Sequence, residues 1–423
     1  MFSSRWKKES KLLHKGARKF LNYKRDLLDA DKIKAIEEAR DTLRAAIKAG
    51  NRDGAAEAEK LVNKACEGAL PRYRRPNPIA ENIEVFFVAI VIALGIRAYF
   101  LQPFRIPTGS MQPTLNGIIG HTLQKDEFPA FPVKIWQAVT GGRKYIYKKL
   151  SGSEKREIMT HPFRRDSRGA PMPYIEQRQK WQFFTETTIH FMDGGVARIK
   201  APRTALEKMG ALDRSRLRHS PDGNTWWLEP NTIVSGYTTS GDLVLVDKVS
   251  YNFRRPDRGE VFVFDTRGIT GIQQRSNSPQ GAGSHYIKRL VGVPGDSLQI
   301  VGSDLYVNDK PAEEKKIREV MRGEGRHEGW PGYQLAATEG RTRWRRYLDD
   351  PEDVLTLKSR QNQIDNGKDP IEAALYREYA AMGDNTSNSL DSRYWGHVRD
   401  YNLVGPALLS LWPLSSGHWG LIK

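Results

Sequence analysis

The sequence predicts a mainly antiparallel β domain that follows a set of N-terminal helices and one membrane-spanning helix. Three features support this fold class. Apolar residues recur at helical spacing over the first 70 positions, an unbroken apolar run follows them, and beyond position 101 the pattern changes to short strands separated by Gly and Pro turns. With 423 residues, the chain is long enough for two or three ordinary domains.

The first 70 residues predict amphipathic helices. Their apolar positions lie at helical spacing among Lys, Glu, Arg and Ala: Leu27, Leu28, Ile33, Ile36, Leu43, Ile47, Leu61 and Val62. The sequence GNRDG at residues 50–54 is typical of a turn between two helices. We therefore interpret residues 1–80 as a basic helical region.

The apolar run predicts a transmembrane helix over residues 83–101. Residues 85–96 read VFFVAIVIALGI, and Arg97 is the single charge before Leu101. The run is near the lower length limit for a spanning helix, so a buried helix of a soluble protein is the alternative. Arg97 can extend its charged group toward water, and three arginines precede the run: Arg72, Arg74 and Arg75. By the positive-inside rule, the chain before the run stays in the cytoplasm and the chain after it lies on the outer, periplasmic face.

Beyond the apolar run, three segments have the composition of strands. They are residues 242–246 (DLVLV), 260–264 (EVFVF) and 286–291 (YIKRLV). Gly-Asp, Pro-Gly-Asp and Arg-Pro turns separate them, which indicates a mainly antiparallel arrangement.

The excess of positive charge is confined to two segments. Residues 1–80 contain 20 Lys and Arg against 11 Asp and Glu, and residues 116–233 contain 20 against 12, within a formal net charge of +17. An anionic membrane surface can attract both segments, whereas nucleic-acid binding would have to lie in one of them. We expect the lipid bilayer as a partner and no nucleic acid.

The cysteine and histidine content argues against disulfide and metal chemistry. Cys66 is the only cysteine, so no intrachain disulfide can form. The nine histidines show no metal-ligand spacing such as HExxH. We expect no metal site and no cofactor.

Ser110 is a candidate nucleophile within residues 103–115 (PFRIPTGSMQPTL). The prolines prevent a continuing helix and favour extended backbone before each of them, so Ser110 should lie on an extended or turned segment close to the membrane surface. Gly109 allows a substrate carbonyl to approach the backbone closely. A serine in this setting can equally be an ordinary turn residue.

Lys288 is the candidate base, because no His/Asp pair is suitably placed in the sequence pattern. A lysine can accept a proton only when desolvation lowers its pKa from roughly 10.4. Four apolar neighbours predict a half-buried strand around it: Ile287, Leu290, Val291 and Val293. The alternative is that Lys288 points to solvent and pairs with a carboxylate.

Four ordered motifs resemble bacterial signal peptidase I. They are the Ser110 segment, residues 241–244 (GDLV), residues 288–296 (KRLVGVPGD) and residues 383–393 (GDNTSNSLDSR). The similarity extends to the apolar run and to residues 402–405 (NLVG), but not to residues 1–80, 116–233 and roughly 311–377. It implies a signal-peptidase-type protease domain formed by residues 102–115 and 234–423.

The resemblance implies a role for each motif residue. Lys288 takes the proton of Ser110, Ser110 attacks the scissile carbonyl, and a water deprotonated by Lys288 hydrolyses the acyl-enzyme. The N–H group of Ser110 and the hydroxyl of Thr108, where many members have serine, would hold the oxyanion. Ser389 would orient the lysine, and two residues would form a supporting ion pair: Asp391 and Arg393.

The resemblance also implies the substrate, the signal peptides of exported preproteins. Cleavage would follow small residues in an Ala-X-Ala pattern, because two shallow apolar pockets accept little more than alanine. Six positions match the pocket residues: Ile106, Pro107, Met111, Leu115, Tyr286 and Ile287. The implied location is the cytoplasmic (inner) membrane, crossed once.

The chain departs from the family pattern at two places. Thr386 and Ser387 stand where the family usually has an Arg-Asp pair, which puts the local electrostatics in doubt. Residues 116–233 form an inserted subdomain of roughly 120 residues. Aromatic residues lie among its many Arg and Lys: Trp136, Tyr145, Tyr147, Trp181, Trp226 and Trp227. This composition is consistent with contact to the membrane or to a partner such as the secretion machinery.

Two other interpretations are compatible with the residues. A soluble Ser/Lys autoprotease similar to the SOS-response repressors would use the same pair, although that family has a DNA-binding helix-turn-helix where this chain has an apolar segment. A catalytically silent membrane scaffold would keep its function when Ser110 or Lys288 is replaced.

Overall fold

The computed structural model describes residues 5–69, 78–165, 170–180, 184–213, 215–221, 225–275, 284–336 and 346–422. The chain divides into two compact units, Met1–Val91 and Ile92–Lys423. Among the described residues, every strand pairing of the second unit is antiparallel. The prediction of an antiparallel β domain preceded by helices is confirmed.

The first unit contains three amphipathic helices, α1 (Arg5–Lys24), α2 (Ala30–Ala49) and α3 (Arg52–Ala69). Gly50 has a φ of 69° and ends α2, which puts the expected turn where the GNRDG sequence predicts it. The helices pack through small and aliphatic side chains: Ala17, Leu21, Ile36, Leu43, Ala55, Ala58 and Val62. Two of the apolar residues expected on these faces, Leu27 and Leu61, are exposed instead.

Helix α4 (Pro78–Tyr99) contains the apolar run. Its window Asn82–Tyr99 is the one stretch of the described residues that is long and apolar enough to cross a membrane, with a mean hydropathy of 1.8, and none of the window is buried. This exposure favours a membrane-spanning helix over the buried-helix alternative. The helix ends at Tyr99, two residues before the predicted limit, because Leu101 already pairs with Asp247 as a strand. The predicted upstream cluster, Arg72, Arg74 and Arg75, lies outside the described residues.

The second unit is built mainly from short strands. In chain order the strands are β1 (Leu101–Arg105), β2 (Ile119–Thr122), β3 (Arg143–Lys149), β4 (Arg156–Ile158), β5 (Thr160–Arg165), β6 (Pro171–Pro173), β7 (Ile175–Lys180), β8 (Phe184–His190), β9 (Val196–Ile199), β10 (Leu217–His219), β11 (Trp226–Leu228), β12 (Ile233–Thr239), β13 (Leu243–Asp247), β14 (Val261–Asp265), β15 (His285–Gly292), β16 (Ser297–Val301), β17 (Asp304–Val307), β18 (Lys310–Pro311), β19 (Leu355–Thr356), β20 (Glu378–Met382), β21 (Val398–Arg399), β22 (Leu403–Trp412) and β23 (Gly420–Leu421). The helices are α5 (Phe131–Gly141), α6 (Arg203–Lys208), α7 (Thr270–Arg275), α8 (Lys315–Arg322), α9 (Arg360–Asp365), α10 (Pro370–Leu375) and α11 (Ser392–Trp395).

The largest sheet has the strand order β1-β13-β22-β14-β15-β20-β21, with β23 paired to β22. A flat sheet would separate β1 from β15 by roughly 19 Å, at about 4.8 Å per strand. The pairings of β22 with β13 and β14, and of β15 with β20, contain register shifts. Such irregularities increase local twist and let a sheet curl. The segment after β1 packs its apolar side chains, including Ile106 and Met111, against Val244 and Val263 of this sheet. This packing brings the segment that contains Ser110 close to β15.

Residues 116–233 form small antiparallel sheets with their own core. Strands β2 and β3 pair with β12, while β4, β11 and β10 form a second sheet and β7, β8 and β9 a third. Their buried side chains form one cluster: Leu150, Ile158, Ile189, Phe191, Ile199, Leu206, Met209 and Leu228 are among its members. On α5, apolar residues face solvent: Phe131, Ile135, Trp136 and Val139. Trp181 of the predicted aromatic set lies outside the described residues.

A further four-stranded sheet, β18-β17-β16-β19, follows the Lys288 strand in the chain. Helix α8 packs on it through Ile317 and Val320, in a core shared with Val291 and Met382 of the large sheet. The loop after α8 brings His327 and Tyr333 into the protein interior, where both are buried.

Candidate active site

Ser110 lies in a single 3-10 turn, Gly109–Met111, that follows β1. Met111 and Ile106 on either side are buried in the core, which anchors the segment while leaving Ser110 at the edge of a cavity. Ser110 itself is 5% exposed. The packing of its neighbours therefore fixes the position of the hydroxyl.

The Gly241-Asp242 motif holds both ends of the Ser110 segment. The Asp242 carbonyl oxygen accepts a hydrogen bond from the Ile106 N–H at 3.0 Å, and the Asp242 carboxylate accepts one from the Asn116 N–H at 2.7 Å. A side chain at Gly241 would collide with the Ile106 carbonyl oxygen. The contact explains why a glycine precedes the aspartate.

Lys288 lies on β15 opposite Phe262 of β14, and it reaches the serine directly. Its Nζ is 2.7 Å from Ser110 Oγ and donates a hydrogen bond to it, and a second bond goes to the Ile287 carbonyl oxygen at 3.1 Å. The two residues are 178 positions apart in the chain. Lys288 is 5% exposed, so the expectation of a buried lysine fits and the solvent-facing alternative does not.

Burial lowers the pKa of Lys288 from 10.5 to about 8. Asp391 and Asp384 act in the opposite direction, because their negative charges favour the ammonium, and Arg393 adds a smaller lowering effect. At this pKa about a tenth of the amine is neutral at pH 7, far more than for a lysine in water, and a general base must be neutral to accept a proton.

Thr108 precedes the 3-10 turn in extended backbone, with a φ of −122°, and it lines the cavity beside Ser110. A side chain at Gly117 would collide with the Thr108 carbonyl group. The glycine therefore allows the backbone at position 117 to pack directly against the Thr108–Gly109 peptide. Thr108 is exposed, and its hydroxyl can turn toward a group bound next to Ser110.

The Gly383-Asp384-Asn385 motif forms hydrogen bonds to the backbone of the serine segment. The Asn385 N–H donates to the Ser110 carbonyl oxygen at 3.1 Å, and its side-chain amide donates to the Gly109 carbonyl oxygen at 3.0 Å. Any side chain at Gly383 would collide with this same Ser110 carbonyl and with Ser389 Oγ. Asn385 thus holds the backbone of the candidate nucleophile, a role that was not assigned to it from the sequence.

Asp391 and Arg393 form a bidentate ion pair that is fully buried. Arg393 Nε and Nη2 donate to the two carboxylate oxygens of Asp391 at 2.8 Å each. Asp391 also accepts the Gly383 N–H at 3.1 Å, and Arg393 donates to the Thr386 carbonyl oxygen at 2.7 Å. The pair therefore ties together the loop that holds Ser110.

Ser389 lines the same cavity as Ser110 and Lys288 and is 6% exposed. Its hydroxyl has no hydrogen-bond partner among the described residues, Lys288 included. A buried hydroxyl without a partner is an unsatisfied donor and acceptor. The expected bond from Ser389 to the lysine is thus not formed in this arrangement, although the hydroxyl lies in the site.

A second buried ion pair, Arg289–Asp384, lies directly behind the serine segment. Arg289 donates to Asp384 through Nε at 2.7 Å and through Nη2 at 2.6 Å. Thr114 donates a very short bond to the same carboxylate, and His327 Nε2 lies 3.5 Å from it. Although burial alone would raise it, these partners hold the pKa of Asp384 well below its usual range.

Thr114 and His327 were not expected in the site. Thr114 is an ordinary threonine in the sequence, and His327 lies within residues 311–377, which contain none of the four motifs. No local pattern connects them with Asp384. Only the fold of the loop after α8 brings the histidine there.

Thr386, at the first departure from the family pattern, is buried, and its hydroxyl donates to the Gly332 carbonyl oxygen at 2.5 Å. Ser387 donates to Asn385 Oδ1 at 3.1 Å. Neutral hydrogen bonds thus occupy the place where the family usually has a charged pair. The Ser110–Lys288 contact is formed without that pair.

The cavity beside Ser110 and Lys288 has a volume of about 630 Å³. Three of the six predicted pocket residues line it: Pro107, Tyr286 and Ile287. The other three are buried in the core under the serine segment, with at most 2% exposure: Ile106, Met111 and Leu115. Their assignment as pocket walls stays a prediction, because on an extended segment an apolar residue can face either the core or the cavity.

Residues 116–233 contribute to the same cavity. Ile118, which precedes β2, Ile119 of β2, and Thr204 and Lys208 on α6 form part of its wall. None of these residues was expected there. Over the described ranges, no group of three or more His, Cys, Asp or Glu side chains is arranged to hold a metal ion.

A serine hydroxyl beside a buried amine, next to an open cavity in an antiparallel sheet, defines a candidate serine hydrolase site of the Ser/Lys type. Residues 79–124 and 229–412, more than half of the chain, match the family model described as signal peptidase, peptidase S26. The chain belongs to this family of hydrolases, as its motifs predicted.

Curated relatives carry the same family name. A signal peptidase I from Leptolyngbya laminosa is 29% identical over 41% of this chain and 62% of its own length. A probable signal peptidase I-2 from Synechocystis is 25% identical over 48% of this chain and 80% of its own length, and a signal peptidase I from Pseudomonas aeruginosa is 31% identical over 43% and 63%. The chain thus spans less than two thirds of the first and third of these relatives.

A crystal structure of a signal peptidase I from Enterococcus faecalis is similar over 36% of this chain and 97% of that chain. The sequence identity is 20% and the TM-score is 0.21. At these values the similarity adds no argument about the activity.

Proposed function

We propose that this protein is a membrane-bound serine endopeptidase that cleaves signal peptides from exported preproteins. The observation that carries the proposal is the 2.7 Å contact between Lys288 Nζ and Ser110 Oγ, in a site that lowers the pKa of the lysine to about 8. The family of the chain supplies the class of substrate.

In the proposed reaction, neutral Lys288 accepts the proton of Ser110 as Oγ attacks the carbonyl carbon of the scissile peptide. The lysine then gives this proton to the leaving amine, and the new N-terminus of the mature protein departs. A water enters, loses a proton to Lys288 and attacks the ester on Ser110, and Lys288 then returns this proton to Ser110 Oγ as the acyl group leaves. Each transfer needs the lysine within hydrogen-bond distance of the serine, which the contact provides.

The oxyanion would be held by the Ser110 N–H group and the Thr108 hydroxyl. Thr108 is exposed beside the cavity, so its rotation is unhindered until a substrate binds. Ser389, with an unpartnered hydroxyl in the same cavity, is available to orient the lysine amine once the serine proton has moved.

Helix α4 would place the site at the membrane. The chain leaves the helix at Tyr99 and begins β1 at Leu101, so the segment carrying Ser110 starts within a few residues of the lipid boundary. We infer that the helix spans the cytoplasmic membrane once, with the N-terminal helices in the cytoplasm and the catalytic unit on the outer face. The exposed apolar residues of α5 are compatible with contact to the membrane or to the secretion machinery.

Purified full-length protein in detergent, incubated with a preprotein that carries an Ala-X-Ala site, tests the proposal. We expect wild type to release the signal peptide, and Ser110→Ala and Lys288→Met to lose at least about 10³-fold of the rate, since each removes a group that acts in every step. Ser153→Ala and Lys310→Met, at exposed positions away from the cavity, should retain the rate.

Equal products from wild type and Ser110→Ala would contradict the protease proposal. Retention of the cellular function by the same variant would support the membrane-scaffold alternative. Cleavage only of the chain itself, with no preprotein processing, would support the autoprotease alternative.

A further inference from the structure

The cavity beside Ser110 is closed on one side by residues 116–233, and the family model does not match residues 125–228 of this segment. This segment supplies Ile118, Ile119 of β2, and Thr204 and Lys208 of α6 to the cavity wall. A substrate bound at Ser110 therefore faces the inserted subdomain as well as the large sheet.

This wall is held firmly in place. A side chain at Gly120 of β2 would collide with the Ala205 carbonyl group of α6, so the helix rests directly on the strand backbone. On its other side α6 buries Ala205 and Leu206 in the core of the insertion. The Thr122 hydroxyl donates to the Lys208 carbonyl oxygen at 3.2 Å. These contacts fix the backbone of α6 at Lys208.

The residues that line the cavity include basic side chains but no acidic ones. None of its lining residues is Asp or Glu, and its basic groups are Lys208, Lys288 and His285. Lys288 is buried against Ser110, and burial lowers the pKa of His285, which keeps that imidazole largely neutral at pH 7. Lys208 is exposed, and no described carboxylate forms an ion pair with it. The neighbouring acid, Glu207, pairs with Arg203 at 2.8 Å instead.

From this arrangement we propose that Lys208 is a specificity-determining residue that favours substrates with an acidic side chain close to the cleavage site and disfavours those with a basic one. The inference rests on the proposed function and adds a charge preference to it. The physical reason is that an exposed ammonium in a cavity without carboxylates attracts one sign of charge and repels the other.

A preprotein series tests this charge preference. Asp and Lys are placed, one position at a time, at each of the residues flanking the Ala-X-Ala site, and kcat/KM is measured for the full-length protein in detergent. At one position or two adjacent ones, wild type should prefer Asp over Lys by about 5-fold, the size of an exposed charge pair. Lys208→Glu should reverse the preference at the same positions, and Lys208→Gln should abolish it.

Lys149→Glu is the matched control. It makes the same charge change on an exposed residue of β3 in the same subdomain, but outside the cavity wall. This variant should keep the wild-type charge preference. That result would distinguish a local effect of Lys208 on the substrate from a change in the overall electrostatic field of the protein. The effect should appear in KM rather than kcat, since Lys208 does not touch the reacting groups.

A charge preference unchanged in Lys208→Glu, or one that shifts equally in Lys149→Glu, would overturn the inference while leaving the proposed function intact. Failure of wild type to cleave any preprotein of the series would overturn both.

Discussion

Lys288 is the residue on which the chemistry of the candidate site depends. In water its amine would be almost entirely protonated at pH 7 and could not accept a proton from Ser110. Burial removes the hydration that stabilises the ammonium, and the pKa falls to about 8. Asp391 and Asp384 limit this fall, so the site balances desolvation against two negative charges.

The rate of signal-peptide cleavage should therefore rise with pH through the depressed pKa of Lys288. Below pH 8 the ammonium predominates and kcat/KM should fall by about tenfold per pH unit, while above it the rate should level off. A pH–rate profile between pH 6 and pH 10 checks this expectation. A steady decline from pH 6 to pH 9 would contradict the role of the lysine as base.

Lys288→Arg is a suitable companion variant. An arginine keeps the positive charge and does not deprotonate in this range, so the variant should be inactive across the whole profile. An active Lys288→Arg protein would show that another group removes the proton of Ser110.

At the scale of elements, the 383–393 loop holds the candidate nucleophile in place. It bonds the backbone of Gly109 and Ser110 through Asn385 and is itself tied together by the Asp391–Arg393 pair. Side chains of that pair are 0% and 1% exposed. A loop normally tolerates substitution, but one organised by a buried ion pair does not, because each charge depends on the other.

We expect Asp391→Ala to destabilise the folded protein by about 3–5 kcal/mol, since it leaves the Arg393 charge buried without its partner. The measurement is the free energy of unfolding by denaturant, with the full-length chain in detergent. Glu372→Ala is the control, because it breaks the partly exposed Lys368–Glu372 pair, where a loss of at most about 1 kcal/mol is expected. Equal effects of the two substitutions would contradict the structural role of the buried pair.

At the scale of the whole molecule, the proposed topology has the N-terminal helices in the cytoplasm and the catalytic domain on the outer face of the membrane. The N-terminal helices carry an excess of Lys and Arg, and α4 carries an exposed apolar surface. The natural chain has a single cysteine, Cys66 on α3, which gives one thiol on the N-terminal side of α4.

A membrane-impermeant maleimide should therefore leave Cys66 unlabelled in intact cells or right-side-out vesicles. It should label a cysteine introduced by Lys310→Cys, at an exposed position of the second unit. Cys66 is partly buried, so labelling after membrane permeabilisation is the control that shows the thiol is reachable. Labelling of Cys66 without permeabilisation would reverse the proposed orientation.

Local patterns predicted several parts of the molecule. The helical hairpin around Gly50, the strands carrying Val244 and Val263, and the candidate pair Ser110 and Lys288 all follow from residues adjacent in the chain. Local patterns do not decide which way a side chain faces. Ile106, Met111 and Leu115 are predicted pocket residues because they flank Ser110, and the structure buries all three in a core cluster under the serine segment.

The amino-acid sequence by itself determined the family, the candidate nucleophile and base, and the apolar helix, because each of these depends on residue types at short, ordered spacings. Only the tertiary structure decided that Asn385 grips the serine backbone, that His327 and Thr114 join Asp384, and that Lys208 of the insertion faces the cavity. The physical reason is that these contacts join segments up to 276 residues apart, and the curling of the sheet and the packing of two separate cores bring them together.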